Sequence, residues 1–324
     1  MEKPENFCFN NNKLGPLIWK TSFPMLGAIL ALLLYDLLES SLLALSGVDT
    51  LSAIGFTLPL TTAMTAIVIG LSIRSNNKVV KADCLNKSTI ASVITTSLLS
   101  TIIIVCLFAV CAYASSQQLL SLLGNEHWAE ISLTSEKTSL VNQQQDYMAA
   151  RYISWVFLAL IWQVNSIFRA LGHGVLASNL MFSWLTVKSI LALLLLLPSS
   201  NFFLGALSGL AYVHVISDFL LAIISLVILI KKLKLNFPSL AEIKPHLTSP
   251  KKDAVIVILQ QLITPISMAL LTIIAANIDY SYVAAFAFIL RMESLCLLIP
   301  MVLTTSMPAI IGSNFWVGNK QRVK

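Results

Sequence analysis

Eight apolar runs, each long enough to cross a bilayer, leave this 324-residue chain almost no way to fold except as membrane helices. They cover residues 17–45, 52–73, 89–113, 148–170, 179–197, 203–230, 254–277 and 282–310. A hydrocarbon core of about 30 Å takes roughly 20 residues of helix. Backbone groups in lipid must be satisfied internally, and the runs are too long and too uniformly apolar for barrel strands. With 57% hydrophobic and 11% charged residues and a mean hydropathy of +0.83, the chain lies outside the range of soluble domains. The expected fold is an all-α polytopic bundle of about eight transmembrane helices, with the lipid bilayer as its main partner.

The charges set an expected orientation. With the N-terminus in the cytoplasm, 17 of the 21 Lys and Arg fall in inner segments, while Asp49, Glu126, Glu130, Glu136, Asp146 and Asp279 fall in outer ones. This is the positive-inside bias, and it implies an even number of spans in a plasma membrane, bacterial inner membrane by expectation. The net charge of +6 follows from the same bias, and without an aromatic-interleaved basic patch it points to no nucleic acid. The polar first 16 residues hold no signal-peptide core, so the first helix is expected to direct insertion. Cys8, Cys84, Cys106, Cys111 and Cys296 lie in inner segments or within helices, without metal-ligand spacing, and read as packing residues. No phosphate-cradling glycine loop suggests ATP use, and no cofactor is expected.

Ionisable groups inside these runs are costly, and a chain that keeps them is usually moving something. Asp36 and Glu39 lie in the first run, Lys188 in the fifth, His214 and Asp218 in the sixth. Spacings of three and four put Asp36 with Glu39, and His214 with Asp218, on shared helix faces, which should turn inward. Two roles fit: a set that gains and loses an ion, or a fixed salt bridge in which Lys188 is the counter-ion of Glu39 or Asp218. Tyr35, one turn from Glu39, offers a ring face to a cationic substrate. Gln163, Asn165, Gln260 and Gln261 would line a pathway or bond between helices. Pro24, Pro59 and Pro265 are expected to interrupt their helices. Arg291 and Glu293, two apart, are expected to meet separate partners.

A weak internal repeat is also present. Asp49 and Asp279, and Phe56 and Phe286, are each offset by 230 residues, and polar exits Ser75-Asn76 and Ser313-Asn314 follow the paired segments. Transporters are often built from such repeats. The most specific motifs are Leu34-Tyr35-Asp36-Leu37-Leu38-Glu39 followed by 47–59; Phe168-Arg169-Ala170-Leu171-Gly172; Gly209-Leu210-Ala211; Val283-Ala284-Ala285-Phe286; and Arg291-Met292-Glu293 with Pro300, Pro308 and Gly312-Ser313-Asn314. In this order and spacing the chain resembles the multidrug and toxic compound extrusion (MATE) family, twelve-helix antiporters of two six-helix lobes.

The resemblance implies an N-terminal segment 1–16, a six-helix lobe 17–230, a cytoplasmic linker 231–253, and the first two helices of an incomplete second lobe in 254–324. It implies a secondary antiporter, not an enzyme, exporting small organic and often cationic compounds in exchange for protons or sodium, with Glu39 at the coupling position. The chain departs from the family pattern in carrying Glu39 where Asp is usual and Lys188 where Asn is usual. Two other readings fit the sequence: an inactive truncated remnant of such a transporter, and a flippase for a lipid-linked precursor.

Overall fold

The computed structural model describes residues 13–85, 89–125, 135–197, 199–200, 202–233 and 252–323, and among them there are helices and turns but no strand. In chain order the helices are α1 (Leu14–Ala44), α2 (Val48–Leu85), α3 (Ile90–Ala114), α4 (Ser116–Leu122), α5 (Ser135–Ala170), α6 (Gly174–Leu196), α7 (Ala206–Leu233), α8 (Lys252–Ile278), α9 (Tyr280–Cys296), α10 (Leu298–Trp316) and α11 (Lys320–Val323). Eight are long and apolar enough to span a membrane. Most of the linker 231–253, Cys8 and residues 126–134 lie outside the described residues.

Helix ends follow local chemistry. The Phe168-Arg169-Ala170-Leu171-Gly172 motif closes α5: the Gly172 N–H donates to the Arg169 carbonyl at 3.1 Å and the His173 N–H to the Phe168 carbonyl at 2.8 Å, with Gly172 at φ 83°. That is a Schellman stop, and only glycine adopts its left-handed residue without penalty. At the start of α9, the Asp279 carboxylate accepts from the Ser281 N–H at 2.7 Å, a helix cap that also holds this exposed acid below the usual carboxylate range.

Several boundaries differ from the sequence expectation. The run 282–310 is expected to be one helix, yet it forms α9 and α10, broken at Leu297. Pro300 has no N–H to offer the Cys296 carbonyl, so the hydrogen-bond ladder fails there and α10 restarts with Pro300 in its first turn. Both pieces pack in succession along α1 and α2. Pro24, Pro59 and Pro265, expected to interrupt, instead lie inside continuous α1, α2 and α8. Membrane helices tolerate this because neighbours re-satisfy the freed carbonyl. Helices α2 and α5 also run well past their apolar segments, and α2, 38 residues long, spans about 57 Å at 1.5 Å per residue.

The centre of the bundle is α5, mostly buried and packed against α2, α3, α6 and α7. It brings Trp155 and Phe168, both at 0% exposure, into the core. On the other side of α1 and α2 lie α8, α9 and α10, with α8 largely on the outer surface. The segments related by the 230-residue offset touch: Ser52 donates its hydroxyl to the Tyr280 carbonyl at 3.1 Å, and a Cβ on Gly55 would lie 2.8 Å from Val283. Further along, the Ser22 and Ser306 hydroxyls pair at 2.8 Å between α1 and α10.

Within the bundle, Gly209 of α7 faces α6 so closely that a Cβ there would sit 2.8 Å from the Leu195 carbonyl oxygen. Backbone cannot swing aside as a side chain can. Gly209→Ala is expected to cost about 1–3 kcal/mol by prising α6 from α7, seen as a lower thermal unfolding midpoint in detergent with helix content unchanged at 25 °C. An unchanged midpoint would show the pair to be loosely packed.

Candidate functional site

Four helices each contribute an aromatic residue and, four positions later, an ionisable one: Tyr35 and Glu39 from α1, Tyr147 and Arg151 from α5, Trp184 and Lys188 from α6, His214 and Asp218 from α7. A separation of four stacks each pair on one helix face, so four faces turned inward bring eight side chains together. All eight are buried, from 0% exposure at Asp218 to 7% at Glu39 and Arg151. Arg291 of α9 enters from the other side of α1.

The cluster has two centres. In the first, Glu39 is shared: His214 Nε2 lies 3.4 Å from its Oε2, and Arg291 Nη2 donates to its Oε1 at 3.1 Å. Arg291 also donates through Nη1 to the main-chain carbonyl of Asp36. Asp36 itself is half-buried, so the acidic pair of α1 is asymmetric: Glu39 is fully engaged by side chains, whereas Asp36 anchors the arginine through its backbone. In the second centre, Trp184 Nε1 donates to Asp218 Oδ1 at 2.8 Å, with the Ser217 hydroxyl at 3.5 Å. Lys188 Nζ and Arg151 Nη1 each stand 4.0 Å from this carboxylate.

Lys188 therefore faces Asp218 and not Glu39. Its ammonium also sits over two rings, 4.8 Å from the Trp184 centroid and 5.0 Å from that of Tyr35. The ring face of Tyr35, expected from the sequence to contact a cationic substrate, is in this state occupied by the protein's own cation. Tyr147 lies 6.2 Å from the His214 ring, centroid to centroid.

The amides fall elsewhere. Gln163, fully buried, accepts from the Ser72 hydroxyl at 3.5 Å and ties α5 to α2, and Asn165 donates to the Ile161 carbonyl of its own helix at 2.9 Å. Gln260 is exposed and Gln261 half-buried on α8. Among the described residues no group of three metal-ligating side chains is found.

Arg151 and Arg291 join the site although the sequence reading does not single them out for it. The signal is present, because both lie inside apolar runs and by the rule that marks Glu39 a cation there needs a partner. The neighbouring Glu293 draws attention away from more distant partners of Arg291, and Arg151 sits three residues into a run where it passes for an edge charge.

Membrane-length helices wrapped around a buried, charge-paired centre define a polytopic membrane protein. Its fold is that of the MATE transporters. The chain superposes with a TM-score of 0.75 on the Vibrio cholerae MATE transporter VcmN in the bent form, 23% identical, over 94% of this chain and 67% of that one. Against the MATE multidrug transporter DinF-BH the TM-score is 0.79 at 16% identity, over 99% of this chain and 70% of that one. In sequence, a Shewanella oneidensis protein named as an FAD transporter is 27% identical over 325 residues, covering 96% of this chain and 67% of that protein. No family model matches. The chain thus spans about two thirds of the length of these relatives.

Proposed function

We propose that the chain belongs to a secondary antiporter of the MATE type, set in the plasma membrane with its N-terminus in the cytoplasm, that exports small organic compounds in exchange for protons or sodium. Helices α1 to α7 act as one lobe, and α8 to α10 open a second. One observation carries the reading: Glu39 is buried between His214 of the first lobe and Arg291 of the second.

A carboxylate in that place can hold Arg291 or a small cation, but not both at full strength. With Glu39 ionised and ion-free, its charge pairs with Arg291 and joins α1 to α9. A proton or sodium ion on Glu39 removes the charge that Arg291 pairs with and weakens the joint between the two helices, leaving the bond to the Asp36 carbonyl. Ion occupancy is thereby tied to the contact between lobes, which is what exchange across alternating states requires. Of the two bonds that Arg291 makes to α1, the one to Glu39 depends on the ion and the one to the Asp36 carbonyl does not. Similarity to a protein named as an FAD transporter makes flavin nucleotides a sensible first cargo to test.

The test is transport by the purified chain in proteoliposomes under an imposed pH or sodium gradient, read with fluorescent flavin and rhodamine compounds. Accumulation that follows one of the two gradients and collapses with it is expected. Accumulation indifferent to both would overturn the antiporter reading.

A further inference from the structure

The two centres of the buried cluster differ in charge balance. At the α1–α9 end, Glu39 pairs with the guanidinium of Arg291, whose second acceptor is the main-chain carbonyl of Asp36. At the α5–α6–α7 end, Arg151 and Lys188 face the single carboxylate of Asp218, and that end holds one positive charge too many.

The hydrogen bonding shows the same excess. Neither cation bonds Asp218 directly, since 4.0 Å lies beyond the usual 2.7–3.2 Å range. The carboxylate takes its short bond from Trp184, and its Oδ2 has no hydrogen-bond partner although Asp218 is at 0% exposure. Arg151 Nε is likewise without a partner at 7% exposure. The ammonium of Lys188, 4% exposed, rests on ring faces and on the distant Asp218. Buried polar groups are almost always bonded, and buried charges paired, so unused donors beside an uncompensated charge mark a place prepared for something else.

We propose that Arg151 and Lys188 form the cargo site of the transporter, and that the cargo is an aromatic organic anion presenting a carboxylate, sulfonate or phosphoryl group. One anionic group there brings two cations and two anions into balance and meets the free guanidinium and ammonium donors, in the charge-assisted manner that suits such groups. Tyr147, four residues before Arg151 on the same face of α5, supplies an aromatic wall for the body of such a ligand. The coupling cation and the cargo anion then occupy opposite ends of one cluster. An organic cation finds less: Glu39 and Asp218 already stand opposite fixed cations, and the face of Tyr35 is covered by Lys188. This rests on the transporter reading above for calling the ligand a cargo, while the anion site stands on its own geometry.

The experiment is equilibrium binding to the purified chain in detergent, by fluorescence anisotropy, of two anions (fluorescein and 1-pyrenesulfonate) and one cation (a rhodamine ethyl ester). Wild-type protein should bind at least one anion at least tenfold more tightly than the cation. Lys188→Met should weaken anion binding at least tenfold, whereas Lys188→Arg should keep it within about threefold. Thermal unfolding of Lys188→Met no earlier than wild type separates lost binding from lost folding. If wild type binds neither anion, prefers the rhodamine, or binds anions equally well as Lys188→Met, the proposal is overturned. Ion-driven rhodamine transport without anion binding would leave the antiporter reading intact. Lysine-dependent anion binding without ion-driven transport would sink that reading and keep the site.

Discussion

Glu39→Gln is expected to abolish ion-driven transport, by more than tenfold in proteoliposomes, while leaving a folded protein. The amide keeps the shape of the side chain and an oxygen that accepts from Arg291, so packing around α1 survives. What it loses is the charge that binds a proton or sodium ion and that Arg291 exchanges for it. Arg291 keeps its bond to the Asp36 carbonyl and the field of the Asp36 carboxylate, which limits the penalty of leaving a guanidinium without Glu39. The outcome should be a near-normal helix content and elution profile with gradient-independent flux. Equal gradient-driven flux in wild type and variant would remove Glu39 from the coupling step.

The largest loss of stability is expected from Asp218→Asn. Asp218 is the carboxylate facing two buried cations, and the amide can still accept from Trp184 Nε1, so the change isolates the electrostatic contribution. Removing one member of a buried ionic set costs about 3–5 kcal/mol, because the remaining charges stay buried without compensation. At about 2–4 °C per kcal/mol for a chain above 150 residues, the unfolding midpoint should fall by roughly 6–20 °C. Adding Lys188→Met to Asp218→Asn takes away one surplus cation and should restore part of that loss. A midpoint unmoved by Asp218→Asn would mean that water reaches Arg151 and Lys188 and that the cluster is not a closed site.

These two acids, both carboxylates at membrane depth, are separated in role by what other helices bring to them. Their depth is plain from the sequence, and the spacing of four joins His214 to Asp218 on a common face. Along that face the two then diverge, His214 toward Glu39 and Asp218 toward Trp184. Lys188 is legible as a counter-ion, but its choice of Asp218 over Glu39 depends on where α6 meets α7. Of the four aromatic–charge pairs, Tyr35 with Glu39 stands out in the sequence and Trp184 with Lys188 does not, although the spacing is the same. A single pair of that kind is common in any helix, and only the coincidence of four on helices that converge gives it meaning.

Composition and hydropathy determined by themselves that this is a helical membrane protein, how many of its segments can cross, and which residues are too costly to be there without a partner, because lipid leaves the backbone one economical solution and charges no cheap one. The Schellman stop at Gly172 was equally local, since a left-handed residue needs only its own chain. The continuity of α1, α2 and α8 through their prolines, and the division of one charged cluster between Glu39 and Asp218, were decided by the tertiary structure. Each depends on which carbonyl, ring or cation a neighbouring helix presents, and Arg291 lies 252 residues from the Glu39 it holds.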